Sequence, residues 1–378
     1  MHDVAIVGAG PGGAAAAVAL GQRGIKDVVL LDREGFPRDK TCGSGLSPNA
    51  LKLVDQLGIG DDVRRLGHAI NTVRVVTRGG RELVISSDAA AIVLLRREFD
   101  HLLVKKAQDL GVQLQTPFRA DALLEENGRV VGVRGFDGRE VRAKVTLFAD
   151  GAHSLFSLDR RPKRSISTLM GWWENFESTP HTLDMIFDRE VAPLYGWMFP
   201  ETPERVNIGI CIDGQDESGE KSAKNLRATF EAFLQRHYGS KLAKAKQLGK
   251  WKGHPIVYTT WVDSVHRPGA LYLGEAARIT HNATGEGISQ AMESGIMAAE
   301  AVTEVLRQGT REEKAWGRYL NRHRMRFTGA FVAGHALRGV IDSPMLDTVA
   351  DVYNNPFIRK IVTKVLGSAL AGSSVNAQ

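Results

Sequence analysis

The stretch VAIVGAGPGGAAAAVALGQRGIKDVVLLD, residues 4–32, decides how the rest of the chain is read. Its opening VAIVG (4–8) is a short apolar run of the kind shown by a parallel strand covered on both faces. A glycine loop follows, then an alanine-rich helix ending near Gly24, then a second strand in VVLLDR (28–33). Gly8, Gly10 and Gly13 form GxGxxG at the strand-to-helix turn. Glycines at that spacing allow a tight turn, close approach of the backbone to a pyrophosphate, and close helix–strand packing, while the helix N-terminus aims free N–H groups at the phosphates. Asp32 ends the second strand 19 residues after Gly13, where a carboxylate can accept from ribose hydroxyls. The unit predicts a dinucleotide site.

The bulk numbers bound what surrounds it. A chain of 378 residues suits two sub-domains sharing a core. Hydrophobic content of 43% and charged content of 24% are those of an ordinary soluble globular protein. The net charge of +6 comes from scattered lysines and arginines with no aromatic-interleaved basic stripe, which argues against a nucleic-acid partner. Cys42 and Cys211 stand far apart with no CxxC, as in a reducing cytosol. The strand pattern begins at once, leaving no room for a signal peptide, and no apolar run nears the ~20 residues of a membrane span. A soluble cytoplasmic protein is expected. The 11 histidines form no HxH or HExxH pattern, so no metal site is expected.

Further along, Asn127-Gly128 and Asp137-Gly138 separate β-prone runs, predicting a three-stranded meander at about 112–145. VTLFADG then returns as a buried strand ending in Asp150-Gly151. Residues 155–265 change character, with clustered aromatics (GWWENF, YGWMFP) among alternating strands and one helix near 222–239. The α/β pattern resumes with an apolar strand at 270–274, a polar loop, and a long helix starting around Gly287. The remainder reads as helical, ending in the basic, amphipathic NNPFIRKIVTKVLGSAL (354–370), whose apolar stripe packs on the protein's own core, with contact to anionic lipid as the alternative.

Taken in order, GxGxxG, LLRREFDHLL (94–103), ADGAHS (149–154) and GEAA…TGEGI (274–288) resemble the FAD-dependent oxidoreductases of the para-hydroxybenzoate-hydroxylase fold. FPRDKTCGSGLSP (36–48) and YGWMFP (195–200) make the chain most similar to the geranylgeranyl reductase branch. The resemblance implies an α/β fold: a Rossmann-like FAD-binding domain (1–154 and 266–325), an inserted mixed β-sheet substrate-binding domain (155–265), and a helical C-terminal segment (326–378). It implies that Gly8, Gly10, Gly13, Asp32 and Arg33 serve the ADP half of FAD. Arg96, of an RxxFD pattern, would reach the pyrophosphate and ribityl region, and the backbone near Ala120 would border the adenine. Asp150 and Glu275 would lie along the ligand. Gly285, Gly287 and Ile288 open a helix whose N-terminus would face the N1–C2=O end of a reduced flavin. Glu286 has a structural, capping role in this reading. Three positions depart from the family pattern: Glu275 where aspartate is usual, Arg278 where glycine is common, and Asn282 where proline is common.

Tyr195, Trp197 and Phe199 alternate along a strand and share one face. The resemblance makes them the wall of a lipophilic pocket; a core-facing apolar stripe is the alternative. Of the adjacent Trp172 and Trp173, one at most faces that pocket. The loop carrying Cys42 and Gly43 would lie over the flavin face, where the thiol either donates a proton to a carbon being reduced or only lines the site. With no second GxGxxG, NAD(P)H must dock transiently, or another reduced carrier such as a ferredoxin must deliver electrons. The resulting expectation is a flavin reductase of a lipophilic, isoprenoid-like alkene. The alternatives are a monooxygenase acting on an aromatic or natural-product substrate, and a degenerate flavin-binding protein. A small lipophilic or aromatic substrate, an electron-donor protein and peripheral membrane contact complete the partners this reading allows.

Overall fold

A computed structural model describes residues 1–158, 164–215 and 225–353. The chain opens with β1 (His2–Val7), α1 (Pro11–Gln22) and β2 (Val28–Leu31). Next come β3 (Gly45–Leu46), α2 (Pro48–Gln56), α3 (Gly60–Leu66), β4 (His68–Val76), β5 (Glu82–Val93) and α4 (Arg96–Asp109). Strands β6 (Gln113–Gln115), β7 (Ala120–Glu126), β8 (Arg129–Gly135) and β9 (Glu140–Phe148) follow. The middle of the chain holds β10 (Arg164–Glu174), β11 (Thr182–Ile186), β12 (Gly196–Pro200), β13 (Arg205–Gln215), α5 (Leu226–Leu242) and β14 (Lys246–Tyr258). It closes with β15 (His266–Arg267), β16 (Ala270–Tyr272), α6 (Ile288–Gln308), α7 (Glu312–Ile341) and α8 (Met345–Val352).

The strands form two sheets. In the first, β16, β9, β1, β2 and β6 run parallel, and β7–β8–β9 make the expected antiparallel meander on one side. The apolar run of β1 is explained by burial on both faces. Val4 and Ile6 pack beneath α1, α4 and α6, while Ala5 and Val7 pack with Val133, Phe148 and Tyr272 on the opposite side. Two glycines make the turn into α1 possible. Gly8 has φ +98°, and a Cβ there would sit 2.5 Å from the Ala149 carbonyl oxygen. A Cβ on Gly13 would meet the Gly8 carbonyl oxygen at 1.9 Å, so only glycine lets the helix lie this close to the strand.

The second sheet has the order β14-β10-β13-β12-β11-β4-β5-β3. It is mostly antiparallel, with β11 parallel to β4. Here the observed layers differ from the expected division at 154/155. Strands β3, β4 and β5, from the region assigned by sequence to the first domain, complete the second sheet. The reason is pairing between segments over a hundred residues apart, such as Thr72 with Thr182 in β4 and β11, which leaves no local signature. The helix expected near 222–239 spans Leu226–Leu242 and buries Phe230, Phe233 and Tyr238 against this sheet. On its far end, Ile341 and Leu346 of α7 and α8 pack on Ile70, Ile85, Leu183 and Met185. The Thr77 hydroxyl and Gly79 N–H donate to Asp347, and Arg81 pairs with Asp351, tying α8 to the β4–β5 turn. The basic stretch at 354–370 lies outside the described residues. Among the described residues, no helix is long and apolar enough to cross a membrane.

Helices α1 and α6 cross closely. A Cβ on Gly295 would lie 2.3 Å from the Gly12 carbonyl oxygen. Gly295→Ala is therefore expected to lower unfolding stability by about 1–3 kcal/mol through overpacking. Gly317→Ala on α7, where a Cβ meets nothing within 4 Å, should instead raise it by roughly 0.5–1 kcal/mol. Denaturant melts of both variants check the pair.

Candidate functional site

The parallel strands of the first sheet all end at one edge. Gly8 follows β1, Asp32 follows β2, Asp150 follows β9, and Glu275 lies just beyond β16. All four line a single cavity of about 940 Å³ that continues along the second sheet. A ligand crevice outside the carboxyl ends of parallel strands is where an open α/β sheet places one, and this volume is near the upper end for a small-molecule site. Gly10, Arg33, Cys42, Gly43, Arg96, Ala120, Gly285, Gly287 and Ile288 line it as well. Among the residues singled out by sequence, Gly13 stands apart, behind the loop against the Gly8 carbonyl.

At the glycine-loop end the charges are built into a chain. Asp32 accepts from the N–H of Ala9 at 2.8 Å and of Glu34 at 3.0 Å, clamping the turn. Arg38 reaches Asp32 at 3.5 Å with one guanidinium nitrogen and Asp100 at 3.2 Å with another. Asp100 in turn grips Arg96 with two hydrogen bonds, of 2.6 and 2.7 Å. Burial works against the Arg96 charge, but Asp100 outweighs it and holds the guanidinium more firmly protonated than a free arginine. Arg38 was missed by sequence reasoning, although it sits inside the FPRDKTCG stretch that was singled out.

Beyond Arg38 the same loop carries Lys40, whose Nζ donates to Nε2 of His254 on β14 at 3.1 Å. Burial, with Lys40 next, drives His254 down to about 3, so its ring is neutral and accepts. The His153 ring stands edge-on to His254 with centroids 5.6 Å apart. This Lys40–His254–His153 group was also missed, because its partners come from three distant segments.

Farther in, the cavity turns apolar. Tyr195, Trp197 and Phe199 form a ladder along β12 with ring centroids 6.2 and 6.1 Å apart, and all three line the cavity. The Tyr195 hydroxyl donates to the Thr284 carbonyl at 2.5 Å, and Trp197 Nε1 donates to Asn207 at 2.8 Å. The loop after Cys42 lies directly on this ladder: a Cβ on Gly43 would be 3.2 Å from the Phe199 ring and 3.3 Å from Trp197 Nε1. Cys42 is half-buried, and its sulfur accepts from the Ser44 N–H at 3.4 Å. Ile70, Ile85, Leu183 and Met185 continue this apolar surface on the neighbouring strands β11, β4 and β5, Met185 being paired with Trp197. Neither Trp172 nor Trp173 lines the cavity; Trp173 is in the core under α5, and Trp172 donates to Glu201 at 2.9 Å.

The three departures each have a structural partner. Glu275 accepts from the Val257 N–H at 3.1 Å, and its burial pushes the carboxyl upward. Arg278 adopts φ +60°, a conformation natural to glycine, and donates to the carbonyls of Ala152 at 3.0 Å and Glu275 at 3.2 Å. Asn282 donates to the Phe331 carbonyl at 3.1 Å, fastening the loop to α7. Glu286 accepts from Ser47 at 2.5 Å and Ser289 at 2.7 Å, joining the first turn of α6 to the N-cap of α2.

Residues 1–330 match the family model described as FAD binding domain, and the chain belongs to that family. It is an FAD-dependent oxidoreductase. It is 29% identical over 333 residues to digeranylgeranylglycerophospholipid reductase of Methanosphaerula palustris, covering 84% of this chain and 80% of the relative. It is 31% identical to menaquinone reductase of Mycobacterium tuberculosis, with 79% and 76% covered. A geranylgeranyl bacteriochlorophyll reductase-like protein of Thermoplasma acidophilum shares the fold at a TM-score of 0.78 and 23% identity, with 96% and 99% covered. A flavin-dependent brominase does so equally well, at 0.78 and 22% identity, with 98% and 94% covered.

The cavity has the features an extended, polar cofactor requires: a backbone cradle at Gly10, where a Cβ would meet only the Arg38 and Arg96 guanidiniums at 3.9 Å, and a carboxyl oxygen awaiting a partner. Asp150 Oδ1 is buried with no hydrogen-bond partner among the described residues. Burial raises the Asp150 pKa from an ordinary 3.8 to about 6. A carboxyl whose pKa is higher folded than unfolded penalises the fold when charged. That penalty is absent below pH 3.8, grows toward pH 6, and is complete above it. In protein stripped of FAD, Asp150→Asn should therefore raise stability at pH 7.5 by roughly 1–3 kcal/mol and change nothing near pH 3.5. Thermal melts at the two pH values test this.

Proposed function

We propose that this chain is an FAD-dependent reductase of carbon–carbon double bonds in prenyl-type, lipophilic substrates. The observation that carries the reading is one continuous cavity, polar and cationic at the strand ends and apolar along the aromatic ladder and the adjoining Ile70, Ile85, Leu183 and Met185. A cofactor and a greasy chain can thus lie end to face in a space that excludes water from the contact. The relatives named as reductases of geranylgeranyl lipids and of menaquinone support it.

In this reading Gly8, Gly10, Asp32 and Arg33 hold the ADP half, Ala120 borders the adenine, and Arg96 serves the pyrophosphate. Asp150 and Glu275 meet the ribityl region, and Gly285, Gly287 and Ile288 present the α6 N-terminus to the flavin ring. Bound FAD supplies hydride transfer. Tyr195, Trp197 and Phe199 orient the substrate chain, while Cys42 and Gly43 close the cavity over it. Electrons come from NAD(P)H docked transiently or from another reduced carrier protein. A lipophilic substrate would be met at a membrane surface, with the basic, apolar stretch at 354–370 as the contact.

Two measurements test the proposal. Acid denaturation should release non-covalent FAD; FMN, or no chromophore, would leave a degenerate protein instead. The reduced protein, mixed anaerobically with menaquinone or a digeranylgeranyl lipid, should re-oxidise and yield product heavier by H2 per double bond. Oxygen uptake on NADPH addition, without any saturated product, would instead mark an oxygenase.

The role of Cys42 is separable by half-reaction. If its thiol protonates the substrate carbon, Cys42→Ser should keep FAD binding and flavin reduction. It should slow re-oxidation by substrate about 10²–10⁴-fold, the range of general acid catalysis. A change of only a few-fold in anaerobic stopped-flow would make Cys42 a wall of the cavity.

A further inference from the structure

Arg38, Lys40 and Arg96 all reach the polar half of the cavity, and their electrostatic situations differ. Arg38 and Arg96 are neutralised by Asp32 and Asp100. Lys40 is not: among the described residues, no carboxylate lies within ion-pair distance of its ammonium. Its hydrogen-bond partner is the neutral ring of His254. Glu275, an anion whose field reaches it, is itself driven by burial toward the uncharged acid. Lys40 is half-buried, and it sits on the loop between Arg38 at the glycine-loop end and Gly43 on the aromatic ladder. A charge in that position costs free energy until an anion arrives.

We propose that Lys40 is a redox-tuning charge, whose ammonium, held in place by His254, favours the anionic reduced state of the cofactor. The inference rests on FAD occupying this cavity. Two-electron reduction of FAD with uptake of one proton leaves one additional negative charge on the cofactor. An un-neutralised cation in a low-dielectric cavity stabilises that added charge relative to the oxidised form and so raises the reduction potential. His254 contributes as a positioning residue. As a neutral acceptor it fixes one ammonium proton and adds no charge of its own. Its backbone is anchored in turn, its carbonyl accepting from the Thr168 hydroxyl at 2.7 Å. Burial and the neighbouring Arg96 lower the Lys40 pKa, the response of a cation that lacks its counter-charge.

The readout is the midpoint potential of protein-bound FAD, measured by spectroelectrochemistry. Lys40→Met should shift the reduction equilibrium at least tenfold toward oxidised FAD, about 30 mV lower for a two-electron couple. Lys40→Arg, which keeps the charge, should stay within threefold of wild type. If Lys40→Met does not retain FAD, Lys40→Gln, which keeps a donor for His254, carries the same expectation. A potential unchanged in the neutral variants overturns the proposal, including when FAD affinity falls, since Lys40 would then serve the phosphates alone. Failure of the wild-type protein to hold FAD would overturn the preceding functional reading rather than this assignment.

Discussion

The buried sequence of charges Asp32–Arg38–Asp100–Arg96 is the constraint on which the cavity depends. Asp32 belongs to the end of a parallel strand, and Asp100 and Arg96 belong to α4. Arg38 belongs to the loop that leaves the first sheet and enters the second at β3. Removing Asp100 would leave Arg96 charged and without its carboxylate in the interior, at a cost of about 3–5 kcal/mol. The loop is thus held where it passes between the sheets, and everything it carries is placed by that anchor: Lys40 against β14, Cys42 over the cavity, Gly43 on the aromatic ladder. Ser47–Glu286 fixes its far end.

The fold was legible where its information is local. The strand, glycine turn, helix and Asp32 lie within about thirty residues, and the alternation of Tyr195, Trp197 and Phe199 follows directly from the two-residue period of a strand. Pairings across the chain were not legible. β4 and β5 have ordinary alternating sequences, and nothing in β4 signals that its second partner, beside β5, is β11. Lys40 and His254 are 214 positions apart, and nothing near either residue announces the other. Arg38 illustrates an intermediate case, visible as a charge in a conspicuous loop but assigned a partner only once α4 is in place.

The positions that depart from the family pattern read differently in three dimensions than along the sequence. Arg278 keeps the left-handed backbone that a glycine would adopt there, at a strain of about 1–3 kcal/mol, and offsets it with hydrogen bonds to the carbonyls of Ala152 and Glu275. Asn282 gives the loop a donor toward α7, and Arg338 on the same helix donates to the Asn282 carbonyl at 3.0 Å while pairing with Asp213 on β13. The loop before α6 is therefore braced from both sheets and from the C-terminal helix. The substitutions describe a rebuilt support for that loop, not its decay.

The contact between Gly43 and the aromatic ladder limits how this cavity can change over evolutionary time. Rings already touch the backbone of the loop, so a larger side chain on that face would push the loop away from its charged anchor. The aliphatic surface beside the ladder is free of this bind. Ile70, Ile85, Leu183 and Met185 are aliphatic, come from neighbouring strands of the ladder's own sheet, and pack with α7 and α8 rather than with the loop. Aliphatic cores tolerate changes of size and shape that conserve total volume. Diversification toward longer, shorter or bulkier ligands is thereby channelled to the β11, β4 and β5 end of the apolar surface, while the loop-and-ring end remains the fixed reference against which any new ligand must fit.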